Sequence, residues 1–383
     1  MALEDDRLPS TVATQTYFVG FENLLPVVSL STNEKYLFDS MIGIYPDEEN
    51  GILLPHCGTR DDIAKNYAQD WMRPVHFTYF NQDNKYGTKS IEYTLYHDKG
   101  YLTLKDFKLR SSQEGNYISD VFAAALVKKG NLNIDYQAHR AVETFINGEY
   151  WGLYNLREKK GKDYLKSNYP NIDEKNIDII VNGREVKDGS FDDYNALKTY
   201  LQSHNYNLSN SSHYNEVSSK VDIDNFIDYM SFMIYSANDD WLASNHRCWK
   251  ENKVGGKWRW MLDDLDIAYK HWNVNTHNYF EIAKGNDEGG NTQLLMTQLF
   301  KALNTNASFK QQFKSRFTHL LDTIFMPANM LSIYNKLYDE RINVTKRVHR
   351  WYTEGYSLRD TVENIPLFVN QRRDIVKGQL SSF

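Results

Sequence analysis

Short runs with the pattern of β-strands occupy the first part of the chain. Residues 25–30 read LPVVSL, a β-branched run, and residues 74–80 and 90–96 read PVHFTYF and SIEYTLY, with partial alternation of apolar and polar positions. Alternation of this kind places one set of side chains on each face of a strand. These runs predict a β-rich beginning to the fold.

A helix and a tight hairpin are predicted next. Residues 120–129 are rich in alanine, with Ser119 before them as an N-cap and Gly130 after them as a stop. Beyond them, Asn147-Gly148 separates two apolar runs, and this dipeptide favours the left-handed backbone of a two-residue hairpin turn. The predicted strands of this hairpin are 141–146 and 150–156.

The second half of the chain changes to the spacing of amphipathic helices. The predicted helices are 163–167, 192–203, 222–236, 292–303, 308–325 and 330–351. One β island, 247–262, interrupts them, with Gly255-Gly256 at its turn. The layout predicts an α+β fold of two lobes. Residues 1–160 would form the β-rich N-terminal lobe, and residues 161–383 a helical C-terminal lobe with an embedded β-hairpin.

Composition and charge narrow the classes of function. The 383 residues include 44 Lys and Arg against 50 Asp and Glu, and the net charge of −6 argues against a protein that coats nucleic acid. We find no apolar run near the roughly 20 residues of a membrane span, and MALEDDRLPS lacks the apolar core of a signal peptide. Either the protein is cytoplasmic, or an export signal has been removed from it. Cys57 and Cys248 are too few for a disulfide framework or a Cys-rich zinc site.

Acidic and amide side chains cluster at both ends of the β island. Asp240 and Asn245 stand five residues apart before it, and Asp264 and Asp266 follow its second strand. Because a hairpin folds its two ends together, we expect Asp240, Asn245 and Asp264 to lie within reach of one ion.

Phosphoryl transfer needs this set of groups. Carboxylate and amide oxygens hold the divalent metal that bridges the phosphates, and a further carboxylate orients the acceptor hydroxyl and takes its proton. Protein kinases place an Asp, an Asn five residues on, a hairpin and a metal-binding Asp in this order. The alternative is structural, because Asp, Asn and Ser also cap helices and make turns, as Asp239 or Asp240 would at the end of the preceding helix. Trp258 and Trp260 are expected to pack in the core.

With these residues in view, most of the chain resembles the CotH-type spore-coat protein kinases and their exported bacterial relatives. The blocks that carry the resemblance are NGEYWGLYNLRE at 147–158, DIDNFIDYM and NDDWLASN within 222–245, and WRWMLDDLDIA at 258–268. The C-terminal SFKQQFKSRFTHLL and His349-Arg350-Trp351 are also similar, as are LPVVSL, GIYP, NYAQDWMRP and KYGTKSIEYTLY upstream.

The resemblance implies an atypical protein-kinase-like fold with ATP and Mg²⁺ or Mn²⁺ as its ligands. Asp240 would be the catalytic carboxylate, Asn245 and Asp264 metal ligands, and Asp266 a second ligand or an orienting neighbour. The implied partners are a protein substrate or a surface or coat protein. An exported or cell-surface location is implied as well, with the cytoplasm left open.

Two further residues receive roles in nucleotide binding from the resemblance. Glu158 closes the most family-like block and would form part of the polar wall of the nucleotide site; its alternative is a solvated charge beside Lys159 and Lys160. Arg110 matches a family arginine that precedes the alanine-rich helix and would meet phosphate with two hydrogen bonds. The alternative for Arg110 is a surface salt bridge.

The chain departs from the family pattern at two places. Asp263 stands where the family has Trp, and this adds a negative charge beside the metal turn. After Phe80, only Asn81–Asn84 fills a space in which relatives carry a Gly- and Arg-containing segment and a Lys-Ser strand. Lys85 and Lys89 are out of register with the phosphate-contacting lysine of that strand.

Three functions therefore stay open. The leading one is a kinase that transfers the γ-phosphate of ATP to a protein hydroxyl. The second, prompted by the short connection at Asn81–Asn84, is a pseudokinase that acts as an exported structural or scaffolding protein. The third is a glycan-active enzyme that uses Asp240 and Asp264 as its carboxylate pair.

Overall fold

The computed structural model describes residues 16–39, 42–44, 72–80, 107–110, 118–275, 277–286, 293–345 and 358–383. The strands are β1 (Val27–Ser31), β2 (His76–Phe80), β3 (Phe107–Arg110), β4 (His139–Ile146), β5 (Glu149–Glu158), β6 (Ile177–Val181), β7 (Glu185–Asp188), β8 (His246–Glu251) and β9 (Arg259–Leu262). The helices are α1 (Lys35–Phe38), α2 (Ser119–Lys129), α3 (Lys162–Asn168), α4 (Asp192–Ser203), α5 (Ser211–Lys220), α6 (Ile223–Ser236), α7 (Tyr279–Ala283), α8 (Leu295–Leu303), α9 (Ala307–Leu321), α10 (Pro327–Thr345) and α11 (Leu358–Ser382). The fold is mixed α+β, as predicted.

The chain divides into two compact units. The first comprises Met1–Tyr93, Ala141–Tyr154 and Asn343–Arg350, and the second comprises the remaining three segments of the chain. A division at residue 160 stays a prediction.

The first unit holds β1, β2 and most of the β4–β5 hairpin. Strand β1 lies between β2, to which it is antiparallel, and β4, to which it is parallel. The hairpin turns at Asn147 and Gly148 with φ values of 50° and 85°, which confirms the Asn-Gly prediction. Val27, Phe80 and Phe145 form a buried hydrophobic cluster in this unit.

The second unit contains a four-stranded sheet in the order β7-β6-β8-β9. The predicted β island is the β8–β9 hairpin, in which His246 lies opposite Leu262. The prediction of an isolated hairpin in a helical lobe was wrong, because β6 pairs with β8 and β7 extends the sheet. The β6 sequence IDIIV is too short for its apolar spacing to distinguish strand from helix.

A turn signal for the β6–β7 hairpin is nevertheless present in the sequence. Asn182 and Gly183 join the two strands with φ values of 54° and 62°. This is the same Asn-Gly signal that identified the β4–β5 turn. The local turn chemistry therefore marks both hairpins, and the sequence prediction used only one of them.

Helix α6 lies at the centre of the second unit. Its residues from Asn225 to Ser236 are all buried, and it packs against β9, α7, α9 and α11. A helix that is buried on every side belongs to the core. Asp222 caps its first turn by accepting a hydrogen bond from the N–H of Asn225 at 3.1 Å. The helix ends at Ala237, whose φ of 49° turns the chain out of the helix.

Other predicted elements are largely confirmed, with shifted ends. Ser119 is the first residue of α2 and not its N-cap, which is Ile118 without a side-chain hydrogen bond. Helix α9 ends at Leu321, four residues earlier than predicted, and α10 begins at Pro327, three residues earlier than predicted. Trp258 and Trp260 are buried in the core as expected. Helices α1, α5, α7 and α11 were not predicted.

Several predictions lie outside the described residues. These are the strand at 90–96, the segment Asn81–Asn84 with Lys85 and Lys89, Cys57 and residues 346–351. Within the described ranges, we find no helix with the length and apolar character needed to cross a membrane.

Candidate functional site

The loop between α6 and β8 carries the first half of the candidate site. Asn238 is buried in this loop, and its side-chain amide donates to the carbonyl of Asp264 at 3.0 Å. The amide of Asn245 donates to the Asp240 carboxylate at 3.3 Å, so these two predicted residues lie side by side. Asp239 instead accepts a hydrogen bond from Asn273. Neither Asp239 nor Asp240 ends helix α6, because Ala237 is its C-cap.

The turn after β9 carries the second half. Because β8 and β9 are paired from His246 to Leu262, the residues just outside them are brought together as the sequence predicts. Asp264 has a φ of 50° and Asn245 a φ of 58°, both in the left-handed region that Asn and Asp tolerate better than most side chains. Leu265 is buried, and its N–H donates to Asp120 of α2 at 3.3 Å. The turn is thus fixed to the core on both sides.

Arg110 joins this acidic turn from strand β3. Its Nη2 donates to Asp264 Oδ1 at 2.5 Å and to Asp266 Oδ2 at 2.7 Å. Strand β3 is held in register by β5, with Arg110 opposite Asn155. The alternative of an isolated surface salt bridge is therefore too simple, because Arg110 pairs with two of the predicted metal ligands at once.

Crowding of carboxylates raises their pKa values. Partial burial, followed by the charges of Asp264 and Asp239, raises the pKa of Asp240 above its ordinary value. Burial and a hydrogen bond with Asp264 raise the pKa of Asp266 to about 6, although Arg110 opposes the shift. Carboxylates are thus crowded around Asp264, and Arg110 already supplies one cation to them.

The chemistry of the donor set suits a hard divalent cation. Two carboxylates, from Asp264 and Asp266, and the side-chain oxygen of Asn245 are the ligand types that Mg²⁺ and Mn²⁺ prefer. Among the described residues, no group of three or more His, Cys, Asp and Glu side chains is arranged as a metal site.

Glu158 is not a solvated charge. Only 2% of its surface is exposed, and its carboxylate accepts hydrogen bonds from the N–H of Ala138 at 2.7 Å and from Asn168 at 3.2 Å. It connects the end of β5 to the segment before β4 and to helix α3. Its role in nucleotide binding stays a prediction.

Asp263 is a site residue whose partners the sequence did not reveal. Its carboxylate accepts hydrogen bonds from Lys160 and, at 3.1 Å, from Arg247. Burial raises its pKa, and the two cations more than offset this and hold the pKa well below the ordinary value. The sequence marked Asp263 by its replacement of the family Trp, but nothing local identified the two cations as its partners.

The order of Asp240, Asn245, hairpin and Asp264 is the order in which protein kinases place their catalytic and metal-binding groups. The model of the CotH kinase protein family matches residues 83–376, and the chain belongs to this family. No curated protein matches the sequence significantly.

Proposed function

We propose that the protein is an atypical kinase that transfers the γ-phosphate of ATP to a protein hydroxyl with Mg²⁺ or Mn²⁺. The observation that carries the proposal is the hydrogen-bonded pair of Asp240 and Asn245 beside the Asp264–Asp266 turn. Family membership favours this chemistry over the glycan-active alternative. An exported or surface location, with a protein of the surface or coat as partner, belongs to the same proposal.

In this proposal Asp240 accepts the proton of the acceptor hydroxyl. The hydroxyl oxygen forms a bond to the γ-phosphorus, the bond to the bridging oxygen breaks, and its electron pair leaves with ADP. The raised pKa of Asp240 brings the carboxylate closer to the range in which a general base is effective. Its hydrogen bond from Asn245 orients the carboxylate for this step.

Asn245, Asp264 and Asp266 would hold the metal, which when bound neutralises charge on the phosphates. Arg110 lies next to these ligands and can donate to a phosphate oxygen from the same guanidinium. Glu158 would act indirectly, since its carboxylate is engaged with Ala138 and Asn168 and supports the wall of the nucleotide site.

The pseudokinase is the second candidate, and one observation favours it. Arg110 already neutralises Asp264 and Asp266, so a metal ion has to share or displace this ion pair. A protein that keeps the pair intact would retain the fold without turnover.

Calorimetric titration with ATP, with and without Mn²⁺, separates these candidates. We compare the parent protein with Asp264→Asn and with Asp339→Asn, a matched change at an exposed carboxylate of α10. Metal-dependent binding that is lost in Asp264→Asn and kept in Asp339→Asn supports the site. Absence of binding in the parent protein overturns the kinase proposal.

A transfer assay then tests the role of Asp240. We expect Asp240→Asn to lower phosphate incorporation by about 10²-fold or more while ATP affinity is retained, because a general base acts in the chemical step. Binding of ATP by the parent protein without any phosphate incorporation would instead favour the pseudokinase.

A further inference from the structure

A cavity of about 760 Å³ lies in the second unit, at the C-terminal end of helix α2. Helix α10, Tyr136 and the first two residues of β4 complete its walls. Its floor is apolar and is formed by Ala124, Ala125, Ile333 and Leu337. The volume falls within the range of ligand-binding clefts, roughly 300–1,000 Å³.

Several basic side chains lie on the rim of this cavity, which we call the basic groove. The basic side chains are Lys128, Lys129, His139, Arg140 and Lys336. Among the lining residues that the structure describes, the acidic one is Glu340, and it forms an ion pair with Arg341. The described lining thus carries four Lys and Arg side chains against one Glu, on a chain whose net charge is −6.

The groove is separate from the acidic candidate site. Asp120, which holds the metal turn, and Lys129, on the groove, lie in the same helix. Their nine-residue separation corresponds to about 13 Å along the helix axis. Ala124 of the floor is one helical turn from Asp120, so this separation applies to the basic end of the groove.

The arrangement of the cations favours an extended ligand over a compact anion. Lys128 and Lys129 belong to the last turn of α2, where the helix presents carbonyl groups and partial negative charge. A phosphate group binds preferentially at the opposite end of a helix, where N–H groups point outward. Carboxylates spaced along a peptide can reach the tips of separate lysines and avoid the carbonyl groups.

We infer that the basic groove binds an acidic peptide segment of a partner protein. Its carboxylates would pair with the lysines and Arg140 on the rim, and an apolar side chain between them would rest on Ile333 and Leu337. Charge complementarity would speed the encounter, and the apolar floor would select peptides with an apolar side chain between acidic ones. This binding requires neither ATP nor a metal, so it does not depend on the proposed function.

Fluorescence anisotropy on the full chain tests the inference. The probe is a labelled peptide of repeated Glu-Glu-Leu, and the same peptide with Gln in place of Glu is its control. The groove variant carries Lys128→Gln, Lys129→Gln and Lys336→Gln, all at exposed positions. The matched control variant carries Lys175→Gln, Lys187→Gln and Lys377→Gln, which are exposed elsewhere on the second unit.

We expect the acidic peptide to bind the parent protein and the control variant. The groove variant should bind this peptide more weakly, by about tenfold or more. Added salt should weaken the binding, because it rests on charge. Equal losses in the two variants, or no binding by the parent protein, would overturn the inference. Displacement of the peptide by a lower concentration of inorganic pyrophosphate would also overturn it, in favour of a compact anion site.

Discussion

The guanidinium of Arg110 donates a hydrogen bond to the Asp264 carboxylate across 2.5 Å, from strand β3 to the turn after β9. The same nitrogen donates to Asp266 at 2.7 Å. The carboxylates proposed to hold a metal are thus held together by a cation from the protein itself. Arg110 and a metal ion would compete for the same oxygen atoms.

This competition predicts that removing Arg110 strengthens metal binding. We expect Arg110→Gln to bind Mn²⁺ about tenfold more tightly in the absence of nucleotide, since about 1.4 kcal/mol of charge repulsion is removed. Titration followed by the electron paramagnetic resonance signal of free Mn²⁺ measures this. Arg184→Gln, at an exposed turn residue, serves as the control. Unchanged or weaker Mn²⁺ binding in Arg110→Gln would show that the two cations do not compete.

The ion pair between Lys160 and Asp263 predicts that Lys160 contributes more to the free energy of unfolding than the nearby Lys162. Lys160 is 7% exposed and pairs with the partly buried Asp263, whereas the Lys162 side chain is 42% exposed and pairs with Asp188. Lys160→Met should lower the free energy of unfolding by about 2–3 kcal/mol, because Asp263 would keep only one cationic partner. Lys162→Met should cost less than about 1 kcal/mol. Urea unfolding compares the two, and equal losses would contradict the structural role of Lys160.

The buried side chain of Asn225 predicts that its truncation lowers the free energy of unfolding by a large amount. Its amide donates to the carbonyl groups of Asn133 and Trp260, at 2.7 and 3.0 Å, and its oxygen accepts from the N–H of Trp260 at 2.7 Å. Asn225→Ala should cost about 2–4 kcal/mol, because three backbone groups, two of them on the buried Trp260, lose their partner. Asn195→Ala, at an exposed position of α4, should be near neutral. Thermal or urea unfolding checks the pair, and a loss below about 1 kcal/mol at Asn225 would contradict the assignment.

Glu251 predicts a pH-dependent contribution to stability. Burial raises its pKa, but hydrogen bonds from Lys253 at 2.6 Å and from the N–H of Asp173 at 2.9 Å leave the pKa below its ordinary value. A carboxyl whose pKa is lowered by folding stabilises the protein above its unfolded pKa, and this contribution is lost as the pH falls through the folded pKa. We expect Glu251→Gln to be less stable than the parent protein at pH 7, by about 0.5–1 kcal/mol.

The difference between the parent protein and Glu251→Gln should shrink as the pH falls below about 4.5. Urea unfolding at several pH values measures it. Glu216→Gln is the control, because Glu216 is exposed in an i,i+4 pair with Lys220 and should contribute little at any pH. A difference that stays constant down to acid pH would contradict the linkage.

The proximity of the candidate residues could be predicted from sequence because it depends on local chemistry. The spacing of Asp240 and Asn245 and the position of Asp264 after a β-strand indicated an acidic site. The β8–β9 hairpin brings its two ends together by its own hydrogen bonds, so the meeting of these residues needed little knowledge of the rest of the fold. Asn147-Gly148 likewise determined a turn through its own backbone preference.

The tertiary structure decided which charges meet. Arg110 lies more than 150 residues from Asp264 in sequence, and Lys160 more than 100 from Asp263. No local pattern encodes such a partner, because a charged side chain has the same propensity whether it faces water or a buried carboxylate. The strand state of β6 was also decided by its neighbour, since a short apolar run adopts the conformation that pairs its backbone groups with β8.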